Sequence, residues 1–304
     1  MKIVMNKVIV LMSTFNGEKY LKEQIDSILA QQGVEIHILV RDDGSTDSTQ
    51  SILKTYSDEG KLKWYSGKNL RTAKSFMDLL RQSGECEYYA FSDQDDFWLP
   101  EKLITAINIL KKQDENRPAL YYGQTTLVDA NLNIMKQKQE YHSFTIFRNA
   151  VVSSNATGCT FCFNKKLRDM INLYIPSYQI MHDGWLHKVC LAIDGYVYFD
   201  RNSYIYYRQH ENNVIGGTTT PLKRWKRRFN MVRKNPCPRS RGISEILKGY
   251  KLYMSEENRR ICEEIAEYKN SPLKKMRLFF DNSISSPNKK INTIYKLAVL
   301  LGLF

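Results

Sequence analysis

The sequence predicts an α/β protein with a mainly parallel sheet. From residue 7 to residue 124, short apolar segments alternate with longer amphipathic ones, and this alternation is typical of parallel strands joined by crossover helices. Polar loops follow several of the apolar segments. The chain has 304 residues, of which 42% are hydrophobic and 25% charged. This composition is that of a globular protein and excludes a disordered or fibrous one.

Four strand-helix units are expected in order. The strands are predicted at residues 7–12, 35–40, 61–66 and 87–92, where β-forming residues cluster. The helices are predicted at residues 18–32, 47–56, 72–81 and 100–111. In the first helix Leu21, Ile25 and Ile28 recur at helical spacing, and Pro100 suits the first turn of the fourth.

The pattern between residues 121 and 207 is less regular. Strands are predicted at residues 119–124, 158–163 and 195–200, and helices at residues 164–173 and 183–193. The turn-rich segment 214–221 then precedes a change of composition. We therefore expect a catalytic body, residues 1–215, and a basic, mainly helical C-terminal region, residues 216–304.

All of the net charge of +13 lies in the C-terminal region. Residues 216–304 contain 20 Lys and Arg against 7 Asp and Glu, whereas residues 1–215 contain 25 of each. Segment 221–234 combines a cluster of cations, Lys223, Arg224, Lys226, Arg227 and Arg228 among them, with an apolar stripe at helical spacing, formed by Leu222, Trp225, Phe229 and Val232. A basic amphipathic helix of this kind binds anionic membrane surfaces. Packing of the same helix against the body, or binding of nucleic acid, are the alternatives, although no nucleic-acid-binding motif is evident.

The cysteines and apolar runs predict a cytosolic protein without a membrane span. The six cysteines lack the pattern of a disulfide framework, so reduced thiols are expected. Cys159 and Cys162 form a lone CxxC, which we assign to the core because no second pair completes a zinc site. The apolar runs 8–12 and 297–304 are far shorter than the roughly 20 residues that span a bilayer.

An acidic cluster at the end of the fourth strand is the strongest chemical signal. Asp93, Asp95 and Asp96 follow this strand and precede a helix, at the sheet edge where ligands bind in open α/β sheets. Three neighbouring carboxylates repel one another, and a bound Mg²⁺ or Mn²⁺ relieves that repulsion while substrate phosphates complete its shell. The alternative is a solvated acidic turn that caps the helix.

Two further polar loops follow the first and second strands. They read STFNGEKY at residues 13–20 and LVRDDGSTDST at residues 39–49, and neither contains a GxGxxG or GxxxxGK[ST] phosphate-binding pattern. Together with the acidic cluster, these loops resemble the GT-A domain of family 2 inverting glycosyltransferases over roughly residues 5–215. The segments MHDGWL at 181–186 and YRQHENNVIG at 207–216 are similar to the bacterial polysaccharide, rhamnosyltransferase-like subgroup.

The resemblance implies a set of donor and metal residues. The donor nucleotide would be bound by seven side chains, Thr14, Asn16, Glu18, Asp42, Asp43, Asp93 and Arg208, with Asp42 accepting the imide N–H of the base. Mg²⁺ or Mn²⁺ would be held by Asp95 or Asp96, between which the motif does not decide, with His210 as a further ligand.

The resemblance also implies a catalytic base and an acceptor contact. Asp183 matches the catalytic aspartate that removes the proton from the acceptor hydroxyl, although a lone Asp at this place is otherwise expected to be a helix N-cap. Trp185 is either a wall for the acceptor sugar or a core residue.

The resulting expectation is a metal-dependent inverting glycosyltransferase that uses a UDP-sugar or dTDP-rhamnose. Its expected acceptor is a lipid-linked saccharide in bacterial cell-surface polysaccharide synthesis, as for capsule or O-antigen. The protein is expected on the cytoplasmic face of the cell membrane, held by its C-terminal region, without a specific nucleic-acid partner. The alternatives are a non-catalytic nucleotide-sugar-binding protein of the same fold and a body with a nucleic-acid-binding tail.

Overall fold

The computed structural model describes residues 5–136, 143–154, 156–209 and 237–304. Its strands are Asn6–Thr14 (β1), Val34–Asp42 (β2), Lys63–Ser66 (β3), Tyr88–Ser92 (β4), Phe97–Trp98 (β5), Ala119–Val128 (β6), Cys162–Asn164 (β7) and Tyr196–Arg208 (β8). The helices of the body are Leu21–Leu29 (α1), Thr49–Asp58 (α2), Arg71–Gln82 (α3), Lys102–Leu110 (α4), Phe147–Ala150 (α5), Lys165–Asn172 (α6) and His182–Ala192 (α7). The C-terminal region contributes Pro238–Tyr250 (α8), Glu256–Glu267 (α9), Pro272–Phe280 (α10) and Lys289–Leu300 (α11).

The eight strands form one mixed sheet in the order β3-β2-β1-β4-β7-β6-β8-β5. Strands β1 to β4 are parallel to their neighbours within this group, which confirms the predicted strand-helix series. Strand β7 is antiparallel to both β4 and β6, and β5 is antiparallel to β8. The parallel half brings the loops after β1, β2 and β4 to one edge, as expected for carboxyl ends of parallel strands.

The sheet is buried on both faces, which explains the continuous apolar runs of its central strands. Residues Val8 to Met12 of β1 are all buried, with alternate side chains entering two different apolar clusters. One cluster packs β1 and β2 against α1 and α4, and the other packs them against α3, α6 and α7. These two layers hold the strand ends in place beneath the loops.

The described C-terminal helices pack on the body through α7. Ile243, Ile246 and Tyr250 of α8 belong to the same apolar cluster as Leu186 and Val189 of α7. Helix α9 packs in turn against α8. The described part of the region is therefore attached to the body by its apolar residues, as in the packing alternative, whereas the stripe predicted within 221–234 lies outside the described residues.

The structure adds two features that the strand predictions did not include. Strand β8 extends to Arg208, beyond the predicted end at residue 200, and pairs along β6 through two register shifts. The short β5 pairs with β8 just after the acidic cluster. Within the described ranges, no helix combines the length and apolar character that crossing a membrane requires.

Candidate active site

A cavity of about 820 Å³ lies at the carboxyl ends of β1, β2 and β4. Its walls come from the loops after these strands, from the first half of α3, from the start of α7 and from the turn at residues 157–158. Of the predicted site residues, six line it, namely Thr14, Asn16, Asp43, Asp93, Asp95 and Asp183. Segments distant in sequence thus converge on one polar cavity, which is the default place for a ligand.

The acidic cluster divides between the cavity and the interior. Asp93 and Asp95 line the cavity, whereas Asp96 is fully buried behind them and accepts a hydrogen bond of 3.3 Å from the backbone N–H of Arg208. Burial, reinforced by the charges of Asp95 and Asp183, raises the pKa of Asp93 to about 7. Burial and the neighbouring carboxylates also raise the pKa of Asp96 well above its usual range.

The donor atoms of this cluster fit a hard divalent cation. Asp93 and Asp95 line the cavity, and Oδ2 of buried Asp96 has no hydrogen-bond partner among the described residues. Carboxylates that disfavour ionisation side by side are stabilised by a cation such as Mg²⁺ or Mn²⁺. Of the two aspartates that the motif left open, Asp95 is the one that reaches the cavity.

Cys159 also lies at this cluster, although the sequence assigned it to the core. Its Sγ and oxygens of Asp93 and Asp96 lie within 4.8 Å of one another. Burial raises the pKa of the Cys159 thiol well above its usual range, so the group is a neutral thiol, a poor ligand for Mg²⁺. Both cysteines of the CxxC are buried, as expected for the core.

Asp183 lies in the first turn of α7 and lines the same cavity as Asp93 and Asp95. The N-cap position of this helix is occupied by Met181, so the capping role expected of a lone Asp is not the one this residue has. Its Oδ1 accepts a hydrogen bond of 2.5 Å from the backbone N–H of Gly184. The carboxylate is thus oriented by the helix terminus while facing the cavity.

The loop after β1 is tied to the acidic cluster through Gln94. Oε1 of Gln94 accepts hydrogen bonds from Oγ1 of Thr14 at 2.6 Å and from the backbone N–H of Phe15 at 2.8 Å. A Cβ on Gly17 would lie 2.5 Å from the same Oε1 atom, so a larger residue there would displace Gln94. Thr14 therefore shapes the cavity wall by holding two loops together.

Asn16 and Glu18 join the loop after β1 to the loop after β2. Oδ1 of Asn16 accepts from the backbone N–H of Thr46 at 2.9 Å, and Oε2 of Glu18 accepts from that of Ser48 at 2.9 Å. Asn16 has a φ of 48°, a left-handed conformation that asparagine tolerates. Asn16 lines the cavity, but the Glu18 side chain does not.

Asp42 and Asp43, which are adjacent at the end of β2, lie in different environments. Asp42 is fully buried and accepts hydrogen bonds from Ser45, from Gln50 at 2.7 Å and from Ser66 at 2.8 Å, so its carboxylate does not line the cavity. Asp43 does line it and pairs with the buried guanidinium of Arg41. Of the two, Asp43 is therefore the one that lines the cavity, while the base contact expected of Asp42 stays a prediction.

Arg208 is not in the cavity. Its guanidinium is buried, pairs with Glu23, lies 4.3 Å above the ring of Tyr20 and donates from Nε to the backbone carbonyl of Asp95 at 2.9 Å. The side chain thus supports the acidic loop from behind, and its expected diphosphate contact stays a prediction. His210 lies outside the described residues.

Trp185 packs in the core, which is the second of its two expected roles. Its side chain is buried between Tyr174 and Tyr250, with ring centroids 6.4 and 6.1 Å away. It does not line the cavity. The acceptor contact that the resemblance implies for this residue stays a prediction.

Sequence reasoning missed several cavity residues. Phe76, Gly158 and His182 line it together with Asn69 and Arg71. His182 directly precedes Asp183, and this adjacency was a signal available in the sequence. The others lie in elements whose orientation toward the cavity depends on tertiary packing.

Comparison with known proteins identifies similar sequences and folds. The sequence family described as Glycosyl transferase family 2 matches residues 9–172. The chain is 31% identical, over 71% of its length, to the dTDP-rhamnosyl transferase RfbG of Shigella flexneri, and the alignment covers 77% of that protein. It is 27% identical to the UDP-Glc:alpha-D-GlcNAc-diphosphoundecaprenol beta-1,3-glucosyltransferase WfgD of Escherichia coli, over 40% of this chain and 47% of that protein.

A solved structure confirms the predicted GT-A fold. The structure of residues 1–349 of TarS from S. aureus in complex with UDP-GlcNAc matches with a TM-score of 0.60, covering 98% of this chain and 82% of that chain. The two sequences are 17% identical, so this likeness concerns the fold alone.

Proposed function

Because this chain belongs to glycosyl transferase family 2, we propose that it transfers a sugar, with inversion and with the help of a divalent metal, from a nucleotide-diphosphate donor to a lipid-linked saccharide in bacterial polysaccharide synthesis. That the chain is a glycosyltransferase follows from the family. The observation that carries the finer proposal is that Asp183, Asp93 and Asp95 line the same cavity. The proposed proton acceptor and the proposed cation-binding residues thus share one site.

The proposed base is Asp183. Inversion requires one displacement, in which the acceptor oxygen bonds to the anomeric carbon as the bond to the diphosphate breaks on the opposite face. A carboxylate within reach of the acceptor hydroxyl removes its proton during this step. Asp183 suits this role because its carboxylate faces the cavity and is oriented by the Gly184 N–H.

The proposed cation-binding residues are Asp93 and Asp95. A bound Mg²⁺ or Mn²⁺ would neutralise charge on the diphosphate leaving group as a Lewis acid. The chain's own contribution is that Asp93 and Asp95 both line the cavity, while Gln94, between them in sequence, is held in place by its contacts with Thr14 and Phe15. Asp96 would support these two residues from behind, where its Oδ1 accepts a hydrogen bond from the backbone N–H of Arg208.

The proposed nucleoside site is the cavity wall formed after β1 and β2. Asp43 and Asn16 reach this wall, while Asp42 and Glu18 stabilise the loops that form it. The names of two similar proteins, a dTDP-rhamnosyl transferase and a UDP-Glc transferase, support a UDP-sugar or dTDP-rhamnose as the donor. The name of the second also specifies a diphosphoundecaprenol-linked acceptor, which supports a lipid-linked one here.

A thermal-shift screen tests this function. Of UDP-, GDP- and dTDP-sugars, one nucleotide class is expected to raise the melting temperature, and more so with Mn²⁺ than with EDTA, because ligand binding to the folded state stabilises it. At a ligand concentration of about 100 times its Kd, the gain is about 2.7 kcal/mol. No shift with any of these sugars, with or without Mn²⁺, would contradict the proposal.

A lipid-linked acceptor places the enzyme at a membrane, and the last two helices offer a surface for this. Along α10 and α11, six apolar side chains at helical spacing are between 41% and 82% exposed, namely Leu273, Met276, Phe280, Ile294, Leu297 and Leu301. On both helices the buried positions Leu278, Tyr295 and Val299 face the protein, so the exposed stripes lie on the outer side.

The charge around these stripes favours anionic lipid. Residues 271–304 contain six Lys and Arg against one Asp. Lys274 and Arg277 pair with Glu267 and Glu264 of α9, so the excess resides in Lys275, Lys289, Lys290 and Lys296. Apolar side chains flanked by cations match the boundary between acyl chains and anionic headgroups. We propose that this outer face, residues 272–301, holds the enzyme on the inner leaflet.

Co-sedimentation of the full chain with vesicles tests the outer face. Binding to vesicles that contain phosphatidylglycerol should exceed binding to phosphatidylcholine alone. The double variant Leu297→Gln, Leu301→Gln should weaken it by at least tenfold, because each buried leucine contributes about 1.5–3 kcal/mol. Leu252→Gln, at a position 93% exposed outside this face, is the matched control. Equal binding by the double variant would contradict the role of α10 and α11, and a nucleic-acid gel shift without vesicle binding would favour the nucleic-acid alternative.

A further inference from the structure

His182 combines deep burial with a place in the wall of the active-site cavity. The residue is 3% exposed and is the first residue of α7, directly before Asp183. Its ring stacks on Phe76 of α3, with centroids 4.0 Å apart, and meets Phe91 of β4 edge-on at 5.1 Å. These aromatic contacts determine where the imidazole lies, but they satisfy neither of its nitrogens.

Both ring nitrogens of His182 are buried and have no hydrogen-bond partner among the described residues. Buried polar atoms in proteins are nearly always paired, because an unpaired one loses its water without compensation. A second buried histidine of the same helix, His187, follows this rule. Its Nε2 lies 2.7 Å from the carbonyl oxygen of Phe144 and its Nδ1 lies 3.0 Å from Oγ of Ser154.

The missing partner points to a ligand in the cavity. Gly158 lies beside the ring, and a Cβ there would be 2.7 Å from Nε2, so glycine leaves this nitrogen uncovered by a side chain. Burial lowers the pKa of His182 to about 4. At neutral pH the imidazole is therefore uncharged, with one nitrogen that donates and one that accepts a hydrogen bond.

One donating and one accepting nitrogen together match a sugar hydroxyl, which also both donates and accepts a hydrogen bond. A charged diphosphate would instead favour a cationic partner. The ring is stacked on Phe76 and packed against Phe91, which belong to α3 and β4 in the half of the sheet that forms the proposed donor site. The hydroxyl is therefore expected on the sugar that the nucleotide carries.

We propose that His182 binds a hydroxyl of the donor sugar as a neutral imidazole and thereby positions that sugar beside Asp183. This inference rests on the proposed function. Because neither nitrogen is exposed, the contact forms with a small displacement of the imidazole when the donor fills the cavity.

Two substitutions of His182 separate binding from folding. His182→Phe keeps the aromatic stacking and His182→Leu is smaller, and each removes the two unpaired nitrogens. Without ligand, at least one of them should melt no lower than the wild type, because no hydrogen bond within the protein is lost. The matched control is His187→Phe, which breaks two buried hydrogen bonds and should melt several degrees lower.

Calorimetric titration then measures binding of UDP-glucose against UDP, and of dTDP-rhamnose against dTDP, in the presence of Mn²⁺. Both His182 variants should bind the sugar nucleotide that the wild type accepts at least tenfold more weakly and the corresponding nucleoside diphosphate unchanged. His187→Phe should leave the ratio of the two affinities unaltered.

The results distinguish this inference from the function on which it rests. If the wild type binds a sugar nucleotide and the His182 variants keep the same ratio of sugar nucleotide to diphosphate affinity, the hydroxyl contact is wrong and the function stands. If the His182 variants melt lower by as much as His187→Phe and keep this ratio, the role of His182 is structural. If the wild type binds none of the four compounds, the proposed donors, a UDP-sugar or dTDP-rhamnose, and this inference are both wrong.

Discussion

The substitution Asp183→Asn is expected to abolish sugar transfer while donor binding persists. An asparagine amide has nearly the size of the carboxylate and can still accept the hydrogen bond that the Gly184 N–H donates, at 2.5 Å in this structure. It cannot take a proton from the acceptor hydroxyl. Loss of a general base costs about 10²–10⁴-fold in rate, so turnover should fall by at least about 100-fold.

Initial rates of product formation measure the expected loss of transfer, and calorimetric titration with the donor measures the expected retention of binding. Asp58→Asn provides the matched control, since Asp58 is an exposed residue at the end of α2 that pairs with Lys54. Turnover of Asp183→Asn at the level of this control would remove Asp183 from the role of base. Loss of donor binding together with turnover would show that Asp183 shapes the site instead.

The second large effect is expected for Asp95→Asn, which should remove the stimulation of donor binding and turnover by Mn²⁺. Asp95 carries one of the two carboxylates of the acidic cluster that line the cavity. An amide oxygen is a weaker ligand for a hard cation than a carboxylate, because it lacks the negative charge. A metal ion contributes several kcal/mol to stabilising the leaving group, so the loss in turnover should reach at least about 100-fold.

Asp96→Asn is the comparison that decides between the two candidate ligands. Asp96 does not line the cavity, and its Oδ1 accepts a hydrogen bond from the backbone N–H of Arg208 that the Oδ1 of an asparagine can also accept. We expect this variant to retain the Mn²⁺ dependence of donor binding. Loss of that dependence in Asp96→Asn, with retention in Asp95→Asn, would reverse the assignment.

The strand-helix series and the location of the site were predictable because they depend on local patterns. The apolar run at residues 8–12 and the spacing of Leu21, Ile25 and Ile28 specify a strand and a helix wherever the chain packs. Parallel strands also place their carboxyl ends at one edge, so the loops after β1, β2 and β4 had to meet. The long β8 was underestimated because its residues are only partly buried and lack a continuous apolar run.

Individual side-chain roles were harder to predict because neighbours in sequence can face opposite ways. Asp42 ends β2 and points into a buried network with Gln50 and Ser66, whereas Asp43 faces the cavity. The resemblance ranked them in the other order for the base contact. Arg208 was expected at the diphosphate because its type suits phosphate, yet β8 carries it behind the acidic loop, where it pairs with Glu23.

The sequence by itself determined the α/β architecture, the family and the presence of an acidic cluster and of Asp183, because periodicity and ordered motifs are properties of contiguous residues. Only the tertiary structure decided which carboxylates reach the cavity, that Trp185 packs between Tyr174 and Tyr250, and that His182 lacks a partner. These outcomes depend on contacts between elements far apart in the chain. Burial and hydrogen-bond satisfaction are set by such contacts, and no local pattern records them.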